Sequence, residues 1–180
     1  MPSGGGLHPP GPAADIRGAD DTWALTLGDD GVTGREPGRL RVLAVDDDPD
    51  LLLLLRSTVE ADGHQAILAS DGRTALERID DQSPDVICLD LMMPVMDGWA
   101  VLDELSGRPS APPVIVVSAK TAEEDLIRAF ELGASSYVFK PFDPSRLIDT
   151  IRSILAASPD ELRERRGQAL AALLRRDVAS

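Results

Sequence analysis

Between residues 40 and 157, five short apolar runs alternate with five longer segments of helical pattern. We predict the runs as β-strands, at residues 40–45, 65–69, 86–89, 114–117 and 137–139. The predicted helices cover residues 49–61, 72–80, 99–105, 121–132 and 143–156. Each helix must carry the chain back to the edge where the previous strand began, so successive strands pair in parallel. The alternation therefore predicts an α/β fold, a doubly wound five-stranded parallel sheet with helices on both faces.

The segments on either side of this alternation differ from it in composition. Residues 1–38 are rich in Gly and Pro, which predicts a flexible leader before a domain at residues 39–157. In residues 158–180, Ser158 and Glu161 form a capping-box pattern that begins a sixth, amphipathic helix. The apolar stripe of this helix is Leu162, Ala169, Leu170, Leu173 and Leu174, and arginines cover the rest. The stripe leaves open a fold-back onto the domain, a contact with a partner or with a second copy in a homodimer, and a membrane-surface role.

Charge and cysteine content narrow the classes of partner. The formal net charge is −13, and most of it lies in the central domain, so we expect no direct binding to nucleic acid. Cys88 is the single cysteine and lies inside an apolar run, which predicts a buried thiol and a reducing compartment. The sequence has no run of about 18 apolar residues and no secretory-signal pattern. We therefore expect no membrane span and a cytoplasmic protein.

Polar side chains end four of the five predicted strands. Asp46 and Asp47 follow the first strand, Asp90 the third, Ser118 the fourth and Lys140 the fifth. Functional groups of such sheets lie at the carboxyl ends of the strands, so we expect these side chains to converge. Clustered carboxylates need a cation, and a hard divalent ion such as Mg²⁺ suits oxygen ligands. With an ammonium and a hydroxyl beside it, the cluster predicts a phosphoryl site in which Asp90, alone at its strand end, is the nucleophile.

Four motifs in this order carry a family resemblance: LAVDDDP (43–49), ICLDLMMPVMDG (87–98), VVSA (116–119) and SSYVFKPF (135–142). Together they resemble the receiver domains of response regulators in bacterial two-component signalling. The resemblance implies the flavodoxin-like strand order 2-1-3-4-5, with the amphipathic C-terminal helix as an addition. It also implies that Asp90 accepts a phosphoryl group from a histidine kinase or phosphotransfer protein. The output would then pass through contact with a downstream protein, which the sequence does not name.

The resemblance assigns metal ligands as well. Asp46 and Asp47 match the acidic pair that holds Mg²⁺, or Mn²⁺ in its place, together with Asp90. The backbone carbonyl of Met92 matches a further ligand. Asp48 belongs to the same acidic run, but it directly precedes a proline, and we predict that it caps the first helix instead.

Four further residues match the part of the family pattern that binds the phosphoryl group and transmits its presence. Ser118 matches the switch hydroxyl, and Tyr137 matches the aromatic switch residue three positions before the lysine. Lys140 matches the lysine that pairs with the phosphoryl group. The bond between Lys140 and Pro141 is expected to be cis. Asp97, which also lies in a matching motif, is predicted only as a turn residue.

Particular residues disfavour three other functions. A phosphatase of the haloacid-dehalogenase type needs a second Asp two residues after its nucleophile, where this chain has Met92. A pseudo-receiver would lack Asp90, Lys140 or part of the acidic pair, and a dinucleotide site would need a Gly-rich turn after the first strand. We therefore expect no enzyme activity beyond self-phosphorylation and autodephosphorylation. We also expect a stand-alone receiver, because residues 157–180 leave no room for an effector domain.

Overall fold

The computed structural model describes residues 38–177, without the side chains of Arg176 and Asp177. Its strands are β1 (Arg41–Val45), β2 (Gln65–Ala69), β3 (Val86–Leu89), β4 (Val114–Ser118) and β5 (Ser136–Phe139). All pair in parallel, in the order β2-β1-β3-β4-β5. The predicted doubly wound fold is confirmed, with strand ends within one residue of the expected ones. The predicted leader lies outside the described residues, apart from residue 38.

The helices are α1 (Pro49–Ala61), α2 (Gly72–Gln82), α3 (Gly98–Ser106), α4 (Glu123–Glu131), α5 (Pro144–Leu155) and α6 (Pro159–Asp177). Aspartates cap four of them, because the side chains of Asp48, Asp71, Asp97 and Asp143 accept backbone N–H groups of the first turn. Asp97, predicted as a turn residue, is thus the cap of α3. Helix α4 begins two residues later than expected, after Ala122, which offers no capping side chain.

The three inner strands, β1, β3 and β4, are buried on both faces of the sheet, as their uninterrupted apolar character predicts. In β1, Leu43 and Val45 belong to one core cluster, which α2, α3 and α4 cover. Val42 and Ala44 belong to a second core cluster, which lies under α1 and α5. Cys88 lies in the second cluster, where burial raises the pKa of its thiol to about 12. The prediction of a buried thiol is confirmed. Because apolar side chains fill the faces of the sheet, the ends of the strands are the places left for polar side chains.

Helix α6 begins at the predicted capping box. The Ser158 N–H donates to the Glu161 carboxylate at 2.7 Å, and the Glu161 N–H donates to the Ser158 hydroxyl at 3.3 Å. The helix lies back against α4, and Leu162 packs against the second core cluster. Of the arrangements that the apolar stripe left open, the structure therefore contains the fold-back. Within residues 38–177, no helix has the length and apolar character needed to cross a membrane.

Candidate functional site

The carboxyl edge of the sheet brings the polar strand ends together. Backbone hydrogen bonds continue past the ends of the strands and fix these positions. The Asp90 N–H donates to the Val45 carbonyl at 2.9 Å, and the Lys140 N–H donates to the Ser118 carbonyl at 2.9 Å. The bond between Lys140 and Pro141 is cis, as expected. The side chains of Asp90 and Lys140 therefore extend from a backbone that the sheet itself holds.

Three carboxylates meet at this edge. Asp46, Asp47 and Asp90 each offer one oxygen, and these oxygens lie within 4.8 Å of one another. Asp46 and Asp90 are only 1% and 6% exposed, whereas Asp47 is exposed. The Lys140 Nζ lies 2.5 Å from Oδ2 of Asp46 and 2.5 Å from Oδ2 of Asp90. The ammonium group thus bridges the two buried carboxylates.

Burial and charge pairing act against each other at these groups. Burial raises the pKa of Asp46 above its ordinary value, although hydrogen bonds from Lys140 and from the Asp48 backbone offset part of the effect. Burial lowers the pKa of Lys140, but hydrogen bonds to Asp46 and Asp90 and the attraction of their charges together outweigh burial and hold the pKa above its ordinary value. Lys140 is therefore protonated at neutral pH, and the site contains an ammonium group that can pair with an incoming anion.

The same cluster suits a hard divalent cation. Its three convergent carboxylate oxygens are the kind of donor that Mg²⁺ and Mn²⁺ take. Backbone groups orient two of the carboxylates, since the Asp48 N–H donates to Oδ1 of Asp46 at 3.0 Å and the Met92 N–H donates to Oδ1 of Asp90 at 3.1 Å. The side chains of Asp46, Asp47 and Asp90 can therefore hold such an ion, and ligation by the Met92 carbonyl stays a prediction.

Two glycines hold the loop between β3 and α3 in a way that the sequence did not reveal. A Cβ atom on Gly98 would lie 2.1 Å from the carbonyl oxygen of Asp90. Gly72 donates its N–H to the Met96 carbonyl at 3.0 Å, and a Cβ atom there would lie 2.7 Å from the same oxygen. Both glycines follow a capping aspartate, and this Asp-Gly pair is the only signal in the sequence. The absence of a side chain at each lets the loop pack tightly beside the acidic cluster.

A chain of hydrogen bonds connects this edge with α4. The Ser118 side chain is fully buried at the end of β4, and its oxygen accepts the Lys120 N–H at 3.4 Å. The Tyr137 hydroxyl donates to the Lys120 carbonyl at 2.9 Å, and the Lys120 ammonium pairs with Asp125 in the first turn of α4 at 3.2 Å. Burial raises the pKa of Tyr137 to about 12, so its phenol stays a donor at neutral pH. No sequence motif marks Lys120 or Asp125.

Comparison with known proteins shows which family the chain matches. The family model of the response regulator receiver domain matches residues 42–152. The alkaline phosphatase synthesis transcriptional regulatory protein PhoP of Bacillus subtilis is 36% identical over 118 residues, which cover 66% of this chain and 49% of PhoP. The DNA-binding response regulator MtrA of Mycolicibacterium smegmatis is 37% identical over 123 residues, which cover 68% of this chain and 54% of MtrA. The chain thus spans about half the length of these curated relatives.

Solved structures of similar fold include response regulators and receiver domains of response regulators. The receiver domain of the Francisella response regulator 1452 is 32% identical with a TM-score of 0.62, covering 65% of this chain and 97% of its own. The chemotaxis response regulator CheY4 of Vibrio cholerae is 29% identical with a TM-score of 0.61, covering 64% and 98%. The BeF3-activated N-terminal receiver domain of Klebsiella pneumoniae RstA is 26% identical with a TM-score of 0.61, covering 65% and 99%.

Proposed function

The chain belongs to the response regulator receiver domain family, and we propose that Asp90 is the residue on which it accepts a phosphoryl group. The observation that carries this proposal is the 2.5 Å contact between Lys140 Nζ and Oδ2 of Asp90 within the acidic cluster. Asp90 follows the central strand of the sheet, and its carboxylate lies beside both the Asp46–Asp47 pair and the Lys140 ammonium group, which also contacts Asp46. A carboxylate next to a cation-binding pair and an ammonium group can receive an anion that a bare acidic cluster would repel.

The proposed donor is a phosphohistidine of a histidine kinase or phosphotransfer protein. An Asp90 carboxylate oxygen attacks the phosphorus, the P–N bond breaks with its electron pair left on the imidazole, and an acyl phosphate forms. Lys140 pairs with one phosphoryl oxygen, and the Ser118 hydroxyl donates to another. Asp46, Asp47 and Asp90 would hold Mg²⁺, which supplies charge neutralisation when bound. The protein thus supplies position and charge compensation, and needs no general base because its nucleophile is a carboxylate.

The consequence of phosphorylation in this proposal is a change of packing at α4, β5 and α5. A new dianion on Asp90 draws the Ser118 hydroxyl towards it, and Tyr137, whose hydroxyl bonds the same loop, shifts with Lys120. The two arrangements are populations of one fold. The protein acts in the cytoplasm and passes the signal to a downstream protein, and its own chemistry is limited to gaining and losing the phosphoryl group.

Labelling with acetyl phosphate and Mg²⁺ tests the assignment of Asp90. The wild type should gain a phosphoryl group that hydroxylamine releases, as it does from acyl phosphates, and peptide mapping should place it on Asp90. Asp90→Asn should remove the label, because an amide oxygen is a far weaker nucleophile than a carboxylate. Asp103→Asn is the matched control, since Asp103 is exposed on α3, away from the strand ends. Labelling of Asp90→Asn as fast as the control would show that another residue is the acceptor.

A further inference from the structure

Helix α6 meets the domain through one face only. The partly buried residues of this docked face recur at spacings of three and four: Leu162, Arg166, Ala169, Leu170 and Leu173. The face differs in two places from the predicted apolar stripe. Leu174 belongs to the stripe but is 44% exposed, and Arg166, which was expected among the solvent-facing arginines, lies on the docked face. Helix α6 lies against α4, and its start also contacts α5, since Arg165 Nη1 donates to the Ser153 hydroxyl at 3.2 Å and Leu162 packs against the second core cluster.

The contact between α6 and the domain is incomplete. Arg166 Nη1 donates to the Gly133 carbonyl, just past the end of α4, at 3.1 Å. A cleft of about 630 Å³ remains between the start of α6 and the domain. It is lined by Leu162, Arg163 and Arg166 of α6 and by Leu105, Leu132 and Ile154 of the domain, among others. An interface with such a gap forgoes part of its packing energy, so α6 separates from α4 at a lower cost than a tightly packed helix would, and Leu162 leaves the second core cluster with it.

An ion pair holds the first turn of helix α4, and a hydrogen bond from α6 holds the backbone just past its last turn. At its first turn, Asp125 pairs with Lys120, whose backbone bonds Ser118 and Tyr137. Past its last turn, Gly133 accepts the hydrogen bond from Arg166 of α6. A short helix of nine residues moves largely as a unit. A change in the loop at Lys120 therefore displaces the surface on which α6 is seated.

We propose that α6 is an autoinhibitory helix, which occupies the α4 surface while Asp90 is unphosphorylated and leaves it on phosphorylation. This inference rests on the proposed function of Asp90. In the structure, α6 is docked while the Ser118 oxygen accepts the Lys120 N–H at 3.4 Å. A phosphoryl group that draws the Ser118 hydroxyl away breaks this hydrogen bond and weakens the contact between α6 and α4. Release exposes both the α4 surface and the apolar face of α6. By linkage, phosphoryl binding weakens the docking of α6 by the same factor by which docked α6 weakens phosphoryl binding. A substitution that undocks α6 must therefore tighten phosphoryl binding.

The test uses the 180-residue chain with Mg²⁺ and beryllofluoride, a phosphoryl mimic. In the wild type, beryllofluoride should speed amide hydrogen exchange at residues 162–173 as well as at residues 118–142. Leu170→Asp places a charge on the docked face, and we expect it to bind beryllofluoride about fivefold or more tightly than the wild type, by fluorine NMR titration. Ala171→Asp adds the same charge at an exposed neighbour and should match the wild type.

A second pair of variants keeps the test decisive if Leu170→Asp does not fold. Arg166→Ala removes the bond to Gly133 and should also tighten beryllofluoride binding, whereas Arg175→Ala changes an exposed arginine outside the docked face and should not. Binding of beryllofluoride that leaves exchange in α6 unchanged, or equal affinity in all four variants, overturns the autoinhibitory role alone. Protection of α6 that depends on protein concentration overturns it too, because α6 then sits on a second copy. If beryllofluoride fails to bind the wild type, the proposed function fails and the inference fails with it.

Discussion

The sharpest structural expectation concerns a methyl group at Gly98. An ideal Cβ there lies 2.1 Å from the Asp90 carbonyl oxygen, 2.8 Å from Leu91 Cα and 2.9 Å from the Asp90 carbonyl carbon. Ordinary contacts begin near 3.4 Å, so the nearest pair must separate by about 1 Å or more. All three atoms belong to the backbone, and no side-chain rotation can relieve the overlap. Gly98→Ala must therefore push the backbone of the proposed phosphoacceptor away from α3.

The size of the effect follows from overpacking. Forcing a methyl group into a filled site costs about 1–3 kcal/mol, and a rigid backbone neighbour puts Gly98→Ala towards the upper end. The better helix propensity of Ala adds little to the free energy of unfolding here, because Gly98 is the first residue of α3. We expect a loss of about 2–3 kcal/mol in the free energy of unfolding. Gly107→Ala, at the other end of α3, is the control. Its nearest atom is 3.9 Å away, and its φ of −83° suits alanine, so stability should stay equal or rise by up to about 1 kcal/mol.

Urea unfolding followed by circular dichroism measures both free energies, with equal slopes required for the comparison. Labelling by acetyl phosphate gives a second readout, because the displaced carbonyl belongs to Asp90. Gly98→Ala should label more slowly than Gly107→Ala at temperatures where both are folded. If Gly98→Ala is as stable as the wild type, or if both variants lose the same stability, the close approach of Gly98 to Asp90 does not exist in the folded protein.

Two further predictions address the metal site and a helix cap. Asp47→Ala should weaken Mg²⁺ binding about tenfold or more, measured by isothermal titration calorimetry. Lys140→Ala should leave the Mg²⁺ affinity unchanged or higher. An unchanged Mg²⁺ affinity in Asp47→Ala would show that Asp47 is not a metal ligand. Hydrogen bonds, first from the Thr74 N–H, lower the pKa of Asp71 below its unfolded value of 3.8. Its capping contribution is therefore present above the unfolded pKa and is lost as the pH falls through the lowered pKa. Asp71→Ala should cost about 1 kcal/mol at pH 7 and less at pH 3 in urea unfolding; an equal cost at both would mean that the carboxylate is not the cap.

Much of the fold and of the site depends on short-range patterns, which a sequence displays directly. Strand and helix periods recur within a few residues, and capping aspartates such as Asp48 and Asp143 stand directly before prolines. Parallel strands all end at one edge, so the convergence of Asp46, Asp90 and Lys140 followed from the alternation alone. Helix α4 is the exception, because Ala122 offers no cap and the start of the helix is set by the loop before it.

Three features were decided only by the tertiary structure: the fit of Gly98 against Asp90, the connection of Lys120 to Asp125, and the face of α6 that docks. An apolar stripe predicts that a helix buries one side, but burial of apolar surface is non-directional and does not choose a partner. Shape and hydrogen bonds choose it, and here Arg166 bonds the Gly133 carbonyl. An arginine can enter such a contact because its aliphatic stem packs while its guanidinium finds an acceptor. Whether a given arginine does so depends on a carbonyl more than thirty residues away in the chain, which no local pattern encodes.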